Sequence, residues 1–145
     1  MAENIKYSIA ELLPHAQPMI LVDRVIAHRE DFIHVAVTIR REAVFFENGE
    51  VPSYVCLEYM AQAIGAWNGL LARQHNEEPQ IGFLLGSRQL TLYISSFKEG
   101  LELDIYGQAK YNDGEMAFFE CWIECQGERL AQAGLNVFQP KNVVL

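Results

Sequence analysis

The feature that most constrains this chain is one apolar stretch, VPSYVCLEYMAQAIGAWNGLLA at residues 51–72, with a single charged side chain, Glu58. Wound as a helix, it puts Leu57, Ala61 and Ile64 on one stripe and Tyr54, Met60, Trp67 and Leu71 on others, so no wide face is charged. A helix apolar nearly all round must be surrounded by protein or lipid. The run is long enough to consider as a membrane span. Glu58, Gln62, Trp67 and Asn68 interrupt it, however, and no basic cluster flanks it, so it reads as a buried core helix. Ser53 is placed as its N-cap. About five turns follow, to roughly residue 74, where the loop HNEEPQ ends it. At 145 residues the chain reads as a single domain, 1–145, able to bury a sizeable core.

The rest of the chain has period two. Residues 8–13 form a short helix stopped by Pro14, and residues 19–27 read as a strand. DFIHVAVTIR, residues 31–40, alternates Ile33, Val35, Val37 and Ile39 with Phe32, His34, Ala36 and Thr38, the pattern of a half-buried strand. After the helix come strand-like segments at 80–95, 101–111, 116–126 and 130–138. Asn112-Asp113-Gly114 is a hairpin signal and Gln126-Gly127-Glu128 a second one. Short turns between neighbours imply an antiparallel meander. With one long helix that needs covering, the expected fold is α+β: a curved antiparallel sheet wrapped around a central helix, the hot-dog fold.

Composition narrows the function. Half the residues are hydrophobic and the net charge is −8, which disfavours nucleic acid, since that needs a broad basic face. The opening MAENIKYSIAELL has no basic start followed by an apolar block, so no signal peptide is expected. Three cysteines, Cys56, Cys121 and Cys125, form no CxxC and have no histidine cluster beside them. They read as reduced core residues of a cytoplasmic protein rather than zinc ligands. No phosphate loop or Ser-His-Asp arrangement is present. His28, His34 and His75 read as surface positions, and Asp23-Arg24 as a structural ion pair.

That leaves Glu58 as the candidate for chemistry. A carboxylate among apolar neighbours is either paired structurally, for instance at a subunit interface, or used as a general acid or base. Gln62 shares its helix face at i+4. The helix start offers N–H groups at Ser53, Tyr54 and Val55 that are able to hold a developing oxyanion. His15, between Pro14 and Pro18, is either a proton-transfer partner or a solvated loop residue.

Two motifs then carry a resemblance. LLPHAQPMILVDRV resembles the N-terminal signature of the 3-hydroxyacyl-[acyl-carrier-protein] dehydratases of type II fatty-acid synthesis. FFENGEVPSYVCLEYMAQAIG resembles that family's loop and central helix. The likeness runs from residue 12 to about residue 138 and extends to the dehydratase-like proteins of bacterial aryl-polyene clusters. It implies dimers with two shared sites, where a histidine of one subunit and an acid from the other's helix remove water from a 3-hydroxyacyl thioester. The acid falls on Glu58, the following glutamine on Gln62, and the N–H that polarises the thioester carbonyl on Ser53, with Tyr54 and Val55 continuing. The substrate arrives on the phosphopantetheine arm of acyl carrier protein, and no metal or redox cofactor is implied.

The sequence departs from that family at the histidine. The family's Gly-His-Phe-Pro loop is shortened here to ENGEVP at 47–52, and no histidine occurs between His34 and Glu58. Three readings stay open: a dehydratase in which His15 or water acts as base, one half of a heterodimer whose partner supplies the histidine, or a thioesterase or inactive acyl-binding subunit. The family's basic docking strand is here LTLYISSFKEG, which retains Lys98 and, upstream, Arg88.

Overall fold

The computed structural model describes residues 5, 7–14, 17–77 and 83–139. Helix α1 (Ile9–Leu12) precedes strands β1 (Arg24–Arg29), β2 (Phe32–Thr38) and β3 (Glu50–Pro52). A 3-10 turn (Ser53–Val55) leads into helix α2 (Cys56–Gln74). Strands β4 (Phe83–Leu92), β5 (Ser96–Lys98), β6 (Glu102–Asn112), β7 (Met116–Cys125) and β8 (Glu128–Phe138) follow.

Six strands form one antiparallel sheet in the order β1-β2-β6-β7-β8-β4. Ile33, Val35 and Val37 of β2 are buried, as are Leu103 and Ile105 of β6, Phe119 and Ile123 of β7, and Ala131 and Leu135 of β8. These inward residues and the buried face of α2 make one continuous core. The meander holds for β6-β7-β8, where each strand pairs with the next. β4 departs from it and closes the far edge against β8. The turn at Gly114 has φ +94°, and its N–H donates to Asn112 Oδ1 at 2.9 Å. Gln126 and Gly127 both have positive φ, +51° and +82°, the geometry that suits the twist of a two-residue hairpin.

The sequence gives no warning of a second, two-stranded sheet, β3 with β5. Three-residue strands are too short to show a period. This small sheet corrects the reading of Ser53: the residue follows directly on β3, and its N–H donates to the Ser95 carbonyl at 3.0 Å. Val55, not Ser53, is the N-cap of α2, with no side-chain cap bond.

Other expectations shift in detail. The first strand begins at Arg24 rather than residue 19, because residues 19–22 are held to α2 instead. Asp23 pairs with Arg40 at 3.0 Å and Arg24 with Glu102 at 3.0 Å, so the two neighbours do not pair with each other. His28 is buried rather than at the surface. His34 is half-buried, stacked on Tyr106 with Nε2 2.8 Å from Asp104. All three cysteines are free thiols, two of them buried. Among the described residues no helix is long and apolar enough to cross a membrane.

Helix α1 lies directly on α2. A Cβ added at Gly69 would stand 2.3 Å from the Leu12 carbonyl oxygen, and one at Gly65 would stand 2.9 Å from Leu13 Cδ2. Only glycine permits so close an approach.

Candidate active site

Glu58 stands in the first turn of α2, half-buried. One turn further on, Gln62 is completely buried. Its Nε2 donates to the Met19 carbonyl at 2.7 Å and to Glu58 Oε1 at 3.1 Å. Its Oε1 accepts from the N–H of Leu21 at 2.8 Å and of Val22 at 3.4 Å. An amide side chain has two donors and two lone pairs, so this set is full. Gln62, expected as a substrate contact, has its amide committed within the chain. It ties the 19–22 segment to α2 and fixes one oxygen of Glu58.

Glu58 opens onto a groove of about 360 Å³ between α2 and the far half of the sheet. The groove exists because α2 packs chiefly on β2 and β6, leaving β7, β8 and β4 further away. Its walls include Ala61, Ile64, Trp67 and Leu71 from the helix and Val137 and Phe138 from β8. On the helix, Glu58, Ala61, Gly65 and Asn68 fall at i, i+3, i+7 and i+10, one stripe along its length. Pro14 also lines this groove; its neighbour His15 lies outside the described residues. None of the described histidines lines it.

Around the other side of α2, under residues 40–45, a cavity of about 260 Å³ is lined by Tyr59, Asp23 and Arg40, among others. Burial pushes the Tyr59 phenol up to about 12, and the nearby Asp23 and Cys56 add to it. Burial likewise raises the Cys56 thiol to about 11.

At the helix start, the expected row of available N–H groups is shorter than the sequence suggests. The Ser53 N–H is committed to Ser95, and the Ser53 side chain is buried. The Val55 side chain is buried in the core, whereas Tyr54 is 66 % exposed. Tyr54 is thus the residue of this helix start that is open to solvent. Asn68, Asn112 and Glu115 also line the groove, and the sequence does not single them out as such. The helical spacing from Glu58 would have picked out Asn68. In the sequence Asn112 reads as a turn residue. Among the described residues no cluster of His, Cys, Asp or Glu is arranged to hold a metal ion.

An antiparallel sheet around one helix, with a carboxylate in the helix's first turn facing an apolar groove, defines a hot-dog protein of the dehydratase class. The ApeP dehydratase model, of the ApeP-like family, matches residues 7–144, and the chain belongs to that family. A 3-hydroxyacyl-[acyl-carrier-protein] dehydratase FabZ from Streptococcus sanguinis is 37% identical over 137 residues, covering 90% of this chain and 94% of the relative. The FabZ of Bartonella bacilliformis is 27% identical, covering 92% and 89%. Among solved structures, a chain of the dehydratase heterocomplex ApeI:P from Xenorhabdus doucetiae superposes with a TM-score of 0.90 at 32% identity, covering 95% of this chain and 94% of that one. A hypothetical thioesterase with coenzyme A from Streptococcus pneumoniae has a TM-score of 0.63 at 16% identity over 81% of this chain and 84% of its own, a likeness of fold alone.

Proposed function

We propose that this chain dehydrates 3-hydroxyacyl thioesters presented by acyl carrier protein, as one subunit of a heterodimer whose partner supplies the histidine. The observation that carries this reading is a carboxylate, Glu58, held by Gln62 at the mouth of an apolar groove that no described histidine lines. The solved relative being a heterocomplex supports the same assignment.

In this mechanism the thioester carbonyl lies at the start of α2, near Tyr54, where the positive end of the helix dipole stabilises the developing enolate. The partner's histidine takes the proton from the carbon next to the carbonyl. The C–O bond at the third carbon breaks, and the departing hydroxyl, protonated or oriented by Glu58, leaves as water. The products are a 2-enoyl thioester and water. Gln62 takes no part in bond making; it keeps Glu58 in the orientation that proton delivery requires. The acyl chain lies in the groove beside α2. The reading places the chain in the cytoplasm with its carrier-bound substrates.

Carrier docking falls mainly on the partner in this arrangement. Lys98 sits 2.5 Å from Glu50, which also accepts a hydrogen bond from Ser96, so its charge is already neutralised. These two bonds hold the Glu50 carboxyl below the usual carboxylate range.

Mass spectrometry of 3-hydroxyacyl-carrier protein, incubated with this chain alone and with its partner, tests the reading. Loss of water only in the mixture is the expected result. Full dehydration by this chain alone assigns the base to His15 or water, and thioester hydrolysis without dehydration overturns dehydration altogether.

A further inference from the structure

The cavity of about 260 Å³ under residues 40–45 lies around α2 from the groove of Glu58 and shares no lining residue with it. Its floor belongs to the core: Val37, Ile39, Val51 and Tyr59 are each at most 3 % exposed. Its walls are fixed by hydrogen bonds. Residues 40–46 turn twice over it, the Ala43 N–H donating to the Arg40 carbonyl and the Phe46 N–H to the Ala43 carbonyl, both at 3.1 Å. Opposite them, the Leu21 N–H donates to Gln62 Oε1 at 2.8 Å and the Asp23 N–H to the Ala36 carbonyl at 2.9 Å. Such a cavity is formed before any occupant arrives, as ligand pockets usually are.

Tyr59 is the polar group of that floor. Its ring packs against Phe97, with centroids 6.2 Å apart, yet its hydroxyl makes no hydrogen bond among the described residues. Burial and the charge of Asp23, which stands on the same cavity wall, keep the phenol protonated and therefore a donor. Asp23 does not serve as its acceptor. Its Oδ2 accepts from the Thr38 N–H at 2.7 Å, and Arg40 Nη1 donates to both its oxygens, at 3.0 and 3.1 Å. Buried polar groups are as a rule hydrogen-bonded, so a buried phenol without an acceptor calls for an explanation.

We infer that this cavity is a second ligand site, for a small uncharged molecule with a ring-sized apolar body and one hydrogen-bond acceptor, which the Tyr59 hydroxyl engages. Size sets the body. An apolar cavity of about 150 Å³ holds benzene, so this one takes a benzene ring with a polar substituent. The aliphatic walls, Leu21, Val37, Ile39 and Val51, suit the ring. Charge excludes the ionic alternatives. An anion would face Asp23 and Glu42, while the Arg40 guanidinium is already engaged by Asp23. A cation would have to displace Arg40 from that carboxylate, or bury its charge against aliphatic side chains. A carbonyl or hydroxyl oxygen meets neither obstacle and gives the phenol the acceptor it lacks. The site is independent of the dehydration chemistry, because none of its residues lines the groove of Glu58.

The test titrates the full chain, alone and in its assembled complex, with benzamide, toluene, benzoate and benzylammonium, and follows backbone amide shifts by NMR. Benzamide should move the amides of Leu21, Thr38, Val51 and Tyr59 and leave those of Trp67 and Val137, in the groove of Glu58, in place. Its affinity should exceed that of toluene by roughly fivefold to tenfold, the value of one net hydrogen bond. Both ions should bind more weakly than benzamide. Tyr59→Phe keeps the ring and removes the hydroxyl, so it should bring the benzamide-to-toluene ratio close to one. The readout is a ratio between two uncharged probes of one ring size, so a general weakening of the cavity cancels. No shift at these amides with any probe, equal binding of benzamide and toluene by the wild type, or a ratio that Tyr59→Phe leaves unmoved overturns the site. Tighter binding of either ion overturns the uncharged ligand. Binding to the free chain that vanishes in the complex shows that the partner subunit fills the cavity, and overturns it as a ligand site.

Discussion

Gln62 shows how much one buried side chain governs here. Its amide has no unused bonding capacity, and three of its four partners are backbone groups of residues 19–22. Gln62→Leu keeps the volume but leaves those groups without their partner, and unsatisfied buried groups cost about 1–3 kcal/mol each. Chemical denaturation should show a loss of at least about 3 kcal/mol, with kcat falling because Glu58 loses its anchor. A variant as stable and active as the wild type would contradict the positioning role. Tyr59 gives a pH prediction. Its folded value of about 12 lies above the ordinary 10.0, so its stabilising effect is complete below pH 10 and is lost as the pH rises through that window. Urea midpoints should fall less steeply between neutral pH and about pH 11 in Tyr59→Phe than in the wild type. Parallel curves would refute the assignment. The sequence made Glu58 conspicuous because it is the one charge in an apolar run. It could not show Gln62's partners, because they lie some 40 residues away in the chain.

At the level of elements, the strands and the long helix were legible because each carries a strong period: two in β2, β6, β7 and β8, and an all-round apolar surface in α2. What stayed hidden depends on contacts between elements. The β3–β5 pair is too short to alternate, and the bond that continues it, from Ser53 N–H to the Ser95 carbonyl, leaves Tyr54 as the exposed residue of the helix start. The place of β4 at the β8 edge is equally invisible, since a strand's sequence does not name its neighbour. The packing of α1 on α2 is also tertiary, and it makes a sharp prediction. Gly69→Ala puts a Cβ 2.3 Å from the Leu12 carbonyl oxygen, a backbone clash that only separation of the two helices relieves. The expected loss is about 1–3 kcal/mol, against the gain that alanine normally brings to a helix interior. A rise in melting temperature for this variant would contradict the close packing.

For the molecule as a whole, the account holds that this chain contributes half of a site. Glu58, Gln62 and the apolar groove are on the chain; in the proposed reading the base comes from a second subunit. The shortened 47–52 loop fits that division, as does Lys98 being neutralised by Glu50 rather than offered to an acidic carrier. The measurement that tests this most directly is single-turnover dehydration by the assembled complex in which only this chain carries Glu58→Gln, with assembly confirmed by native mass spectrometry. The account predicts an intact complex whose rate falls by at least about a hundredfold, the scale of losing a general acid. A complex that assembles and turns over at the wild-type rate would show that Glu58 is structural and that the chemistry resides elsewhere.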